Sequence, residues 1–208
     1  SRGYTSGVAV GYGSNAYSYG VAVGYGSNAY SYGVAVGNLA KGMRFGVSLG
    51  YGAGHNINET TDRYNVLVGA YAGYRITTGI GNIIIGYKSG YDVTYSPTTG
   101  SKNILIGFQA GTPSTTTSNF LNIGNLICAT GVNTATGAGI STGNVGIGVI
   151  EPTATLHLRA GTASAGTAPI KFTAGVLNTI PEPGSLEYDG NALYITLSDG
   201  TRRQIALV

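Results

Sequence analysis

The stretch GVAVGYGSNAYSY, residues 7–19, decides the fold because the chain repeats it without change at residues 20–32. A third copy starts as GVAVG at residues 33–37. The part that keeps recurring is shorter: an aliphatic residue, any residue, a second aliphatic residue and glycine. It occurs nine times through residue 148, at Val8/Val10/Gly11, Val21/Val23/Gly24, Val34/Val36/Gly37, Val47/Leu49/Gly50, Val66/Val68/Gly69, Ile83/Ile85/Gly86, Ile104/Ile106/Gly107, Leu121/Ile123/Gly124 and Val145/Ile147/Gly148.

Each of these units predicts a short β-strand that ends in a corner. Two branched residues one position apart point to the same side of a strand, and such residues favour strands. The glycine that follows permits a sharp turn that other residues resist. Corners stacked at β-spacing give a parallel β-solenoid, or β-roll, in which each coil hydrogen-bonds to the coils above and below.

The distances between successive corner glycines divide the chain into regions. They are 13, 13 and 13 residues, then 19, 17, 21, 17 and 24. The constant period predicts regular coils over residues 1–50, and the longer increments predict coils with inserted loops over residues 51–150. The insertions HNINETTDRY, YRITTGIG, YDVTYSPTTGSK and TPSTTTS are rich in residues typical of surface loops.

The middle residue of each strand indicates a partner. It is alanine or serine in the regular coils and leucine or isoleucine in the later ones: Ala9, Ala22, Ala35 and Ser48, then Leu67, Ile84 and Leu105. A strand apolar on both faces must be covered on both. Since a thin coil has only one inside, we expect the middle residue to contact another copy of the chain. A thirteen-residue coil also buries little surface, so we expect an isolated monomer to be marginally stable.

The remaining segments predict aromatic ladders and a different C-terminal region. In SNAYSY, Ala16 and Ser18 share one side and Tyr17 and Tyr19 the other, so the tyrosines are expected to form ladders outside the coil or between chains.

Residues 151–208 predict a small antiparallel β region. TLHLRA and APIKFTAG read as single strands, and SLEYDGNALYITLSDGTRRQIAL reads as three strands joined at two Asp-Gly turns.

Composition excludes several functional classes. Only 9% of residues are charged, and the net charge of +3 comes from scattered residues without the basic run typical of nucleic-acid binding. No run of about 20 apolar residues is present, so no membrane-spanning helix is predicted. Cys128 is the only cysteine and is expected to be a small buried residue. The chain starts at Ser1 without Met or a signal peptide, so we expect a processed product or a piece of a longer protein.

Two stretches resemble known families. The units GVAVGYGSNAYSY and NIIIGYKSG resemble the left-handed parallel β-roll repeats of trimeric autotransporter adhesin heads and the related repeats of phage tail fibres. The block NVGIGVIEPTATLHL, followed by GTAPIKF and PEPGSLEYDGNALYITLSDGTRRQI, resembles the stalk that often precedes the intramolecular chaperone domain of phage tail-fibre and tailspike proteins. The resemblance implies an intertwined homotrimeric fibre of a virion.

Enzymatic alternatives find little support in the residue inventory. The only histidines, His55 and His157, have no Cys or carboxylate at metal-ligand spacing, and the glycine-rich loops do not match a phosphate-binding motif. No catalytic, metal-binding or cofactor-binding residue is predicted. A polysaccharide-depolymerase tailspike is one alternative, with Glu59 and Asp62 as its acids. An ice-binding solenoid is another, but it requires a flat Thr ladder at the repeat period.

We therefore interpret the chain as a non-enzymatic, homotrimeric fibre protein at the virion surface that takes part in host attachment. Its expected partners are other copies of itself, other virion structural proteins and a host-surface glycan or protein, with no nucleic acid and no membrane insertion. The alternative is a trimeric adhesin passenger on a bacterial cell surface. Candidate receptor contacts are aromatic and cationic residues of the insertions: Arg63, Tyr64, Tyr74, Arg75, Lys88, Tyr91 and Tyr95.

Overall fold

The computed structural model describes residues 1–58, 63–137 and 139–205, and these residues form strands and no helix. The strands of the first half are β1 (Arg2–Gly3), β2 (Val8–Val10), β3 (Asn15–Ala16), β4 (Val21–Val23), β5 (Asn28–Ala29), β6 (Val34–Val36), β7 (Lys41–Gly42), β8 (Val47–Leu49) and β9 (Val66–Val68). Those of the second half are β10 (Ile83–Ile85), β11 (Ile104–Ile106), β12 (Leu121–Ile123), β13 (Ile127–Ala129), β14 (Val145–Ile147), β15 (Leu156–Leu158), β16 (Leu186–Tyr188), β17 (Leu193–Thr196) and β18 (Arg202–Gln204).

The first unit, Ser1–Arg159, is a parallel β-solenoid, as the repeat predicts. Its long sheet has eleven strands in the order β15-β14-β13-β12-β11-β10-β9-β8-β6-β4-β2, and its short sheet has the order β1-β3-β5-β7. All nine repeat units form strands of the long sheet. From β2 to β12 these strands pair in parallel at identical repeat positions, so that Val21 pairs with Val34 and Val23 with Val36.

Corner glycines set this register. Seven of them have φ between 125° and 134°, a region that favours glycine: Gly11, Gly24, Gly37, Gly50, Gly69, Gly86 and Gly107. A Cβ on Gly24 would lie 2.6 Å from the carbonyl oxygen of Gly37 in the next coil. The coils can therefore stack at this distance only because the corner carries no side chain.

The corner is a bend after the strand and not the last residue of the strand itself. Gly86 shows this in a wide coil: β10 ends at Ile85, and Gly86 follows it with φ of 127°. A Cβ on Gly86 would collide with the carbonyl oxygen of Gly107 in the next coil. The corner contact is therefore the same in the wide coils as in the thirteen-residue ones.

The last two repeat glycines differ from the other seven. Gly124 has φ of 59° and Gly148 has φ of 71°, which is the left-handed helical region. A Cβ on Gly124 would meet no atom within 4 Å. The physical reason is the next strand, β13, which runs antiparallel to β12, so no parallel coil stacks on this corner.

The middle residue of each long-sheet strand lies inside its own coil, contrary to our expectation. Ala22 and Ala35 are fully buried and pack with Ala16, Ala29 and Ala40 from the short-sheet side. The flanking valines face outward instead, since Val8 is 52% and Val10 56% exposed. The physical reason is thickness: the two sheets of a thirteen-residue coil lie too close together for valine to fit between them, whereas alanine fits.

The longer coils enclose a larger core in the same orientation. Leu67, Ile84 and Leu105 replace the alanines at the middle position and are fully buried. The insertions supply further core residues, Ile57 and Ile76, which belong to the same buried cluster. Larger middle residues therefore fill wider coils, and they do so within one chain.

A buried asparagine ladder runs along the wider coils, one residue before each strand. The backbone amide of Asn82 donates to Oδ1 of Asn65 at 2.8 Å, and that of Asn103 donates to Oδ1 of Asn82 at 3.0 Å. Each side-chain NH2 also donates to a backbone carbonyl, which for Asn82 is that of Gly100 at 3.0 Å. The ladder satisfies polar groups that would otherwise be buried without a partner.

The chain reverses direction near the end of the solenoid. β13 pairs antiparallel with both β12 and β14, a reversal that the repeat pattern does not predict. The cysteine of β13, Cys128, is buried as expected. β15, which we expected to belong to the antiparallel region, pairs in parallel with β14 and extends the long sheet, because Leu156 and Leu158 repeat the aliphatic spacing without the glycine.

The second unit, Ala160–Val208, contains a three-stranded antiparallel sheet in the order β16-β17-β18. The strands meet at the two Asp-Gly turns, as predicted, and Oδ1 of Asp189 accepts hydrogen bonds from the amides of Asn191 and Ala192. The segment APIKFTAG forms no strand. Its side chains are mostly exposed. Alternation of apolar and polar residues alone was therefore not enough for this segment to pair with another strand.

We predict that Leu105→Ala lowers the free energy of unfolding by about 2–5 kcal/mol, because it removes a fully buried side chain from the core. Leu126→Ala is the matched control, since Leu126 is 57% exposed between β12 and β13, and its expected loss is below about 1 kcal/mol. Chemical denaturation followed by circular dichroism compares the two variants. Equal losses would contradict the inward orientation of the middle residue.

We predict that acid loosens the C-terminal sheet. The Asn178 amide donates to Oε1 of Glu187 at 2.7 Å and Arg202 Nε donates to Oε2 at 2.9 Å, and these contacts lower the pKa of Glu187. A lowered pKa means that the stabilisation is present at neutral pH and is lost as the pH falls through that lowered pKa.

Hydrogen–deuterium exchange of the peptide covering residues 186–204, corrected for intrinsic rates, measures this loss. Glu187→Gln should exchange faster than the parent at pH 7 and show a smaller increase on acidification. Glu151→Gln, which changes a carboxyl outside the sheet, should behave like the parent. A pH response unaffected by Glu187→Gln would show that this carboxyl is not responsible.

Candidate functional site: an aliphatic strip and an aromatic cleft

The outward face of the long sheet carries an uninterrupted run of aliphatic side chains, which we call the aliphatic strip. Its members flank the buried middle residues and therefore share the opposite face of the sheet. Pairing across β13 keeps the alignment, because Ile127 lies opposite both Ile123 and Ile147. The strip consists of Val8, Val10, Val21, Val23, Val34, Val36, Val47, Leu49, Val66, Val68, Ile83, Ile85, Ile104, Ile106, Leu121, Ile123, Ile127, Val145, Ile147, Leu156 and Leu158.

This strip leaves much apolar surface in water. Eleven strands about 4.8 Å apart make it about 50 Å long. Its side chains are partly exposed, 39% for Ile83 and 38% for Ile85. Together they expose on the order of 1000 Å² of apolar surface, more than the 300–600 Å² of the largest patch on a typical monomer. Because no charged residue interrupts the strip, it is suited to close contact with another apolar surface.

Aromatic rings stack from coil to coil along the edges of the solenoid, as the repeat predicts. Tyr4, Tyr17 and Tyr30 form one ladder, with successive centroids 4.9 and 5.0 Å apart. A second ladder runs along the side from which the chain enters the long-sheet strands, and it consists of Tyr19, Tyr32, Phe45 and Tyr64. Ring stacking therefore reinforces the backbone register at the surface.

Four of the predicted contact residues come together beyond the carboxyl ends of β9 and β10. The rings of Tyr74 and Tyr91 lie 5.5 Å apart, and the guanidinium of Arg75 lies 5.7 Å from the Tyr91 ring. Arg75 Nε also donates to the Tyr91 carbonyl at 2.8 Å. The Lys88 ammonium lies 5.3 Å from the rings of both Tyr87 and Tyr91. Cations over aromatic faces attract the ring quadrupole, so this cluster holds its own geometry.

The other predicted contacts lie apart from this cluster. Arg63 and Tyr64 precede β9 and so lie on the entry side of the sheet. Arg63 is only 4% exposed, and its Nη1 donates to the carbonyl of Thr78 at 3.0 Å. Burial lowers the pKa of its guanidinium. Arg63 is therefore placed as a structural residue, while the Tyr64 ring stacks on Phe45.

An open cleft of about 420 Å³ lies beside the tyrosine cluster. Most of its lining combines aromatic, carboxylate, amide and ammonium groups from three successive coils: Lys88, Tyr91, Asp92 and Tyr95, then Gln109 and Thr112, then Asn122 and Asn125. Ile150, which follows β14, adds an aliphatic side chain. The first coil contributes three residues that the sequence singled out. The sequence analysis did not identify Asp92, Gln109 or the two asparagines. A signal was present: Tyr91 follows Gly90 and Thr112 follows Gly111, so a short side chain replaces a long one at the same position of the next coil, which predicts a step in the surface.

Side chains that bind metal ions do not cluster in the part of the chain that the structure describes. Within this part of the chain, no group of three or more His, Cys, Asp or Glu side chains could hold a metal ion. Glu59 and Asp62, the acids of the depolymerase alternative, lie outside the described residues. Burial raises the pKa of the Cys128 thiol, which keeps it in its less reactive neutral form. Across residues 1–58, 63–137 and 139–205, no helix long and apolar enough to cross a membrane is found.

These two surfaces are the features that set this solenoid apart from a uniform stack of coils. The strip is apolar and runs the length of the long sheet, while the cleft is lined by polar and aromatic groups of three successive coils and by Ile150. Comparison with known proteins returns no matching protein family, no matching characterised protein and no matching solved structure.

Proposed function

We propose that this chain is a non-enzymatic structural protein of a virion fibre, a tail fibre or other capsid-attached fibre, that associates as a homotrimer and takes part in host attachment. The observation that carries the proposal is the aliphatic strip. A protein that works as a single chain has no use for so long an exposed apolar face, whereas a fibre made of several chains buries it.

A second copy of the same chain is the partner that fits the strip best. The strip extends over eleven strands at one fixed spacing, and another copy carries a surface with the same length, spacing and chemistry. The absence of charge on the strip favours an identical apolar surface over a charged one. Closed cyclic symmetry then limits the assembly to a defined number of chains.

Three copies follow from the resemblance to phage fibres and trimeric adhesins. In such an assembly the strips would meet around a common axis, and the buried middle residues would remain inside each coil. Extensive burial between chains would also give the fibre high resistance to heat and proteases. The regular coils of a single chain, with their alanine core, bury too little surface to provide it.

Host attachment is supported by the cluster beyond β9 and β10. The half-buried tyrosines and cations there have stacking and hydrogen-bonding chemistry that suits a glycan or protein surface. No residue of this cluster belongs to the strip, so association through the strip would leave the cluster available. Three copies on one fibre would multiply a weak contact by avidity. The remaining expected partners are other structural proteins of the virion surface.

We predict that the protein sediments at three times its chain mass of 21.1 kDa and that Ile83→Lys weakens the assembly. The substitution places a charge without a partner in the buried strip of each copy, which is expected to cost about 3–5 kcal/mol. Sedimentation velocity over a dilution series measures dissociation, and thermal unfolding measures the accompanying loss of stability.

Ile80→Lys is the matched control, because Ile80 has the same 39% exposure as Ile83 but lies outside the strip. It should leave the sedimentation profile unchanged. A folded, stable monomer of the parent protein would overturn the proposed fibre function, and equal effects of the two lysines would argue against the strip as the contact.

A further inference from the structure

We infer that the cleft between Tyr95 and Asn122 binds a neutral pyranose-containing glycan. The inference rests on the proposed attachment function and assigns its ligand class and its site. The volume of about 420 Å³ falls at the small end of the range of ligand pockets, about 300–1000 Å³, and suits the end of an oligosaccharide rather than a folded protein loop.

The aromatic wall of the cleft is where a ring ladder stops. His55 stacks on Tyr74 at 5.0 Å, and the Tyr91 ring follows 5.5 Å from Tyr74, tilted by 50°. The next coil continues this position with Thr112, which is buried and has no ring. The space that a ring at position 112 would fill is therefore open, and Tyr91 lines this space. A pyranose presents a partly apolar face of C–H bonds that can pack against the Tyr91 ring at this place.

The loop carrying Tyr95 is fixed against the floor of the cleft. Oδ1 of Asp92 accepts a hydrogen bond from the Thr94 amide at 2.8 Å, which turns the chain directly after Tyr91. The Tyr95 carbonyl accepts from the Thr112 amide at 2.8 Å. A Cβ on Gly111 would lie 2.6 Å from that same carbonyl oxygen, so the loop can rest there only over glycine. Tyr95 as a whole residue is nevertheless 52% exposed and thus available to a ligand.

Polar groups of the cleft match the hydroxyls of a sugar. Asn122 is 1% exposed and is held by its bonds to the Gly111 carbonyl at 2.8 Å and to Asn125 Oδ1 at 2.9 Å, which gives the cleft a rigid amide base. Exposed Gln109 and Asn125 offer amides that both donate and accept. Asp92 adds a carboxylate acceptor, and vicinal hydroxyls are the ligand groups that pair with amides and a carboxylate together.

The charges favour a neutral sugar over an acidic one. Asp92 stands at the cleft and would repel a carboxylate or sulfate of the ligand. The Lys88 ammonium, the one cation among the lining residues, lies against the rings of Tyr87 and Tyr91. Lys88 and Asp92 together leave the lining with no net formal charge, so the cleft offers an acidic sugar no net attraction and presents hydrogen-bonding groups to its ligand.

Saturation-transfer difference NMR on the assembled full chain tests the inference with four probes: D-glucose, D-galactose, N-acetyl-D-glucosamine and N-acetylneuraminic acid. At least one neutral probe should bind with a Kd of about 1 mM, as expected for a single weak site. Tyr95→Ala should weaken that binding about tenfold, through loss of ring stacking. Gln109→Ala should weaken it in the same direction.

Tyr25→Ala is the matched control, since Tyr25 is 55% exposed and stacks on Tyr12 far from the cleft. It should bind the probe like the parent. Binding of N-acetylneuraminic acid alone, no binding of any probe, or binding unchanged by Tyr95→Ala would each overturn the inference. Sedimentation of the same samples separates the two proposals, because an intact trimer that binds no sugar would refute only the glycan site.

Discussion

The close approach of one corner glycine to the next is the constraint on which the rest of the structure depends. Each corner turns through a backbone conformation that favours glycine, and the carbonyl of the following coil occupies the place where a side chain would be. This contact fixes the rise from coil to coil and brings identical repeat positions into line. The buried asparagine ladder, the stacked rings and the aliphatic strip all follow from that alignment, since each needs the same position to recur directly above itself.

The sequence was sufficient to predict features that are local. The nine strands, their corners and the two Asp-Gly hairpins each depend on a few neighbouring residues, and all of them form where the pattern places them. The inward face was predicted wrongly because alternation tells which residues share a face and does not tell which face is inside. When both faces are apolar, the choice depends on the distance between the two sheets of a coil. Alanine at the middle position of the regular coils was the signal, since it fits between sheets that leave no room for valine.

Features that depend on differences between coils were harder to predict. The reversal at Ile127–Ala129 needs a turn that no repeat unit contains, and Cys128 then takes the place of a middle residue in a strand that runs backwards. The cleft likewise arises from a mismatch, because a short threonine follows a tyrosine at one position of the stack. In the sequence, the single residues that cause the reversal and the mismatch cannot be told apart from ordinary loop residues. Only the assembled coils show that Tyr95, Gln109 and Asn122 border one space.

The direction of the backbone hydrogen bonds has a mechanical consequence. Between neighbouring strands of the long sheet these bonds run along the stack, so tension along the solenoid acts on successive layers in series, and the weakest layer limits the load. The regular coils have mainly alanine and serine inside, with Met43 as their one large buried side chain, whereas the later coils add Leu67, Ile84 and Leu105. Under an axial pull the amino-terminal coils should part first. In the proposed assembly, contacts between strips would instead be loaded in shear over many layers at once, which resists tension better than layers loaded in series.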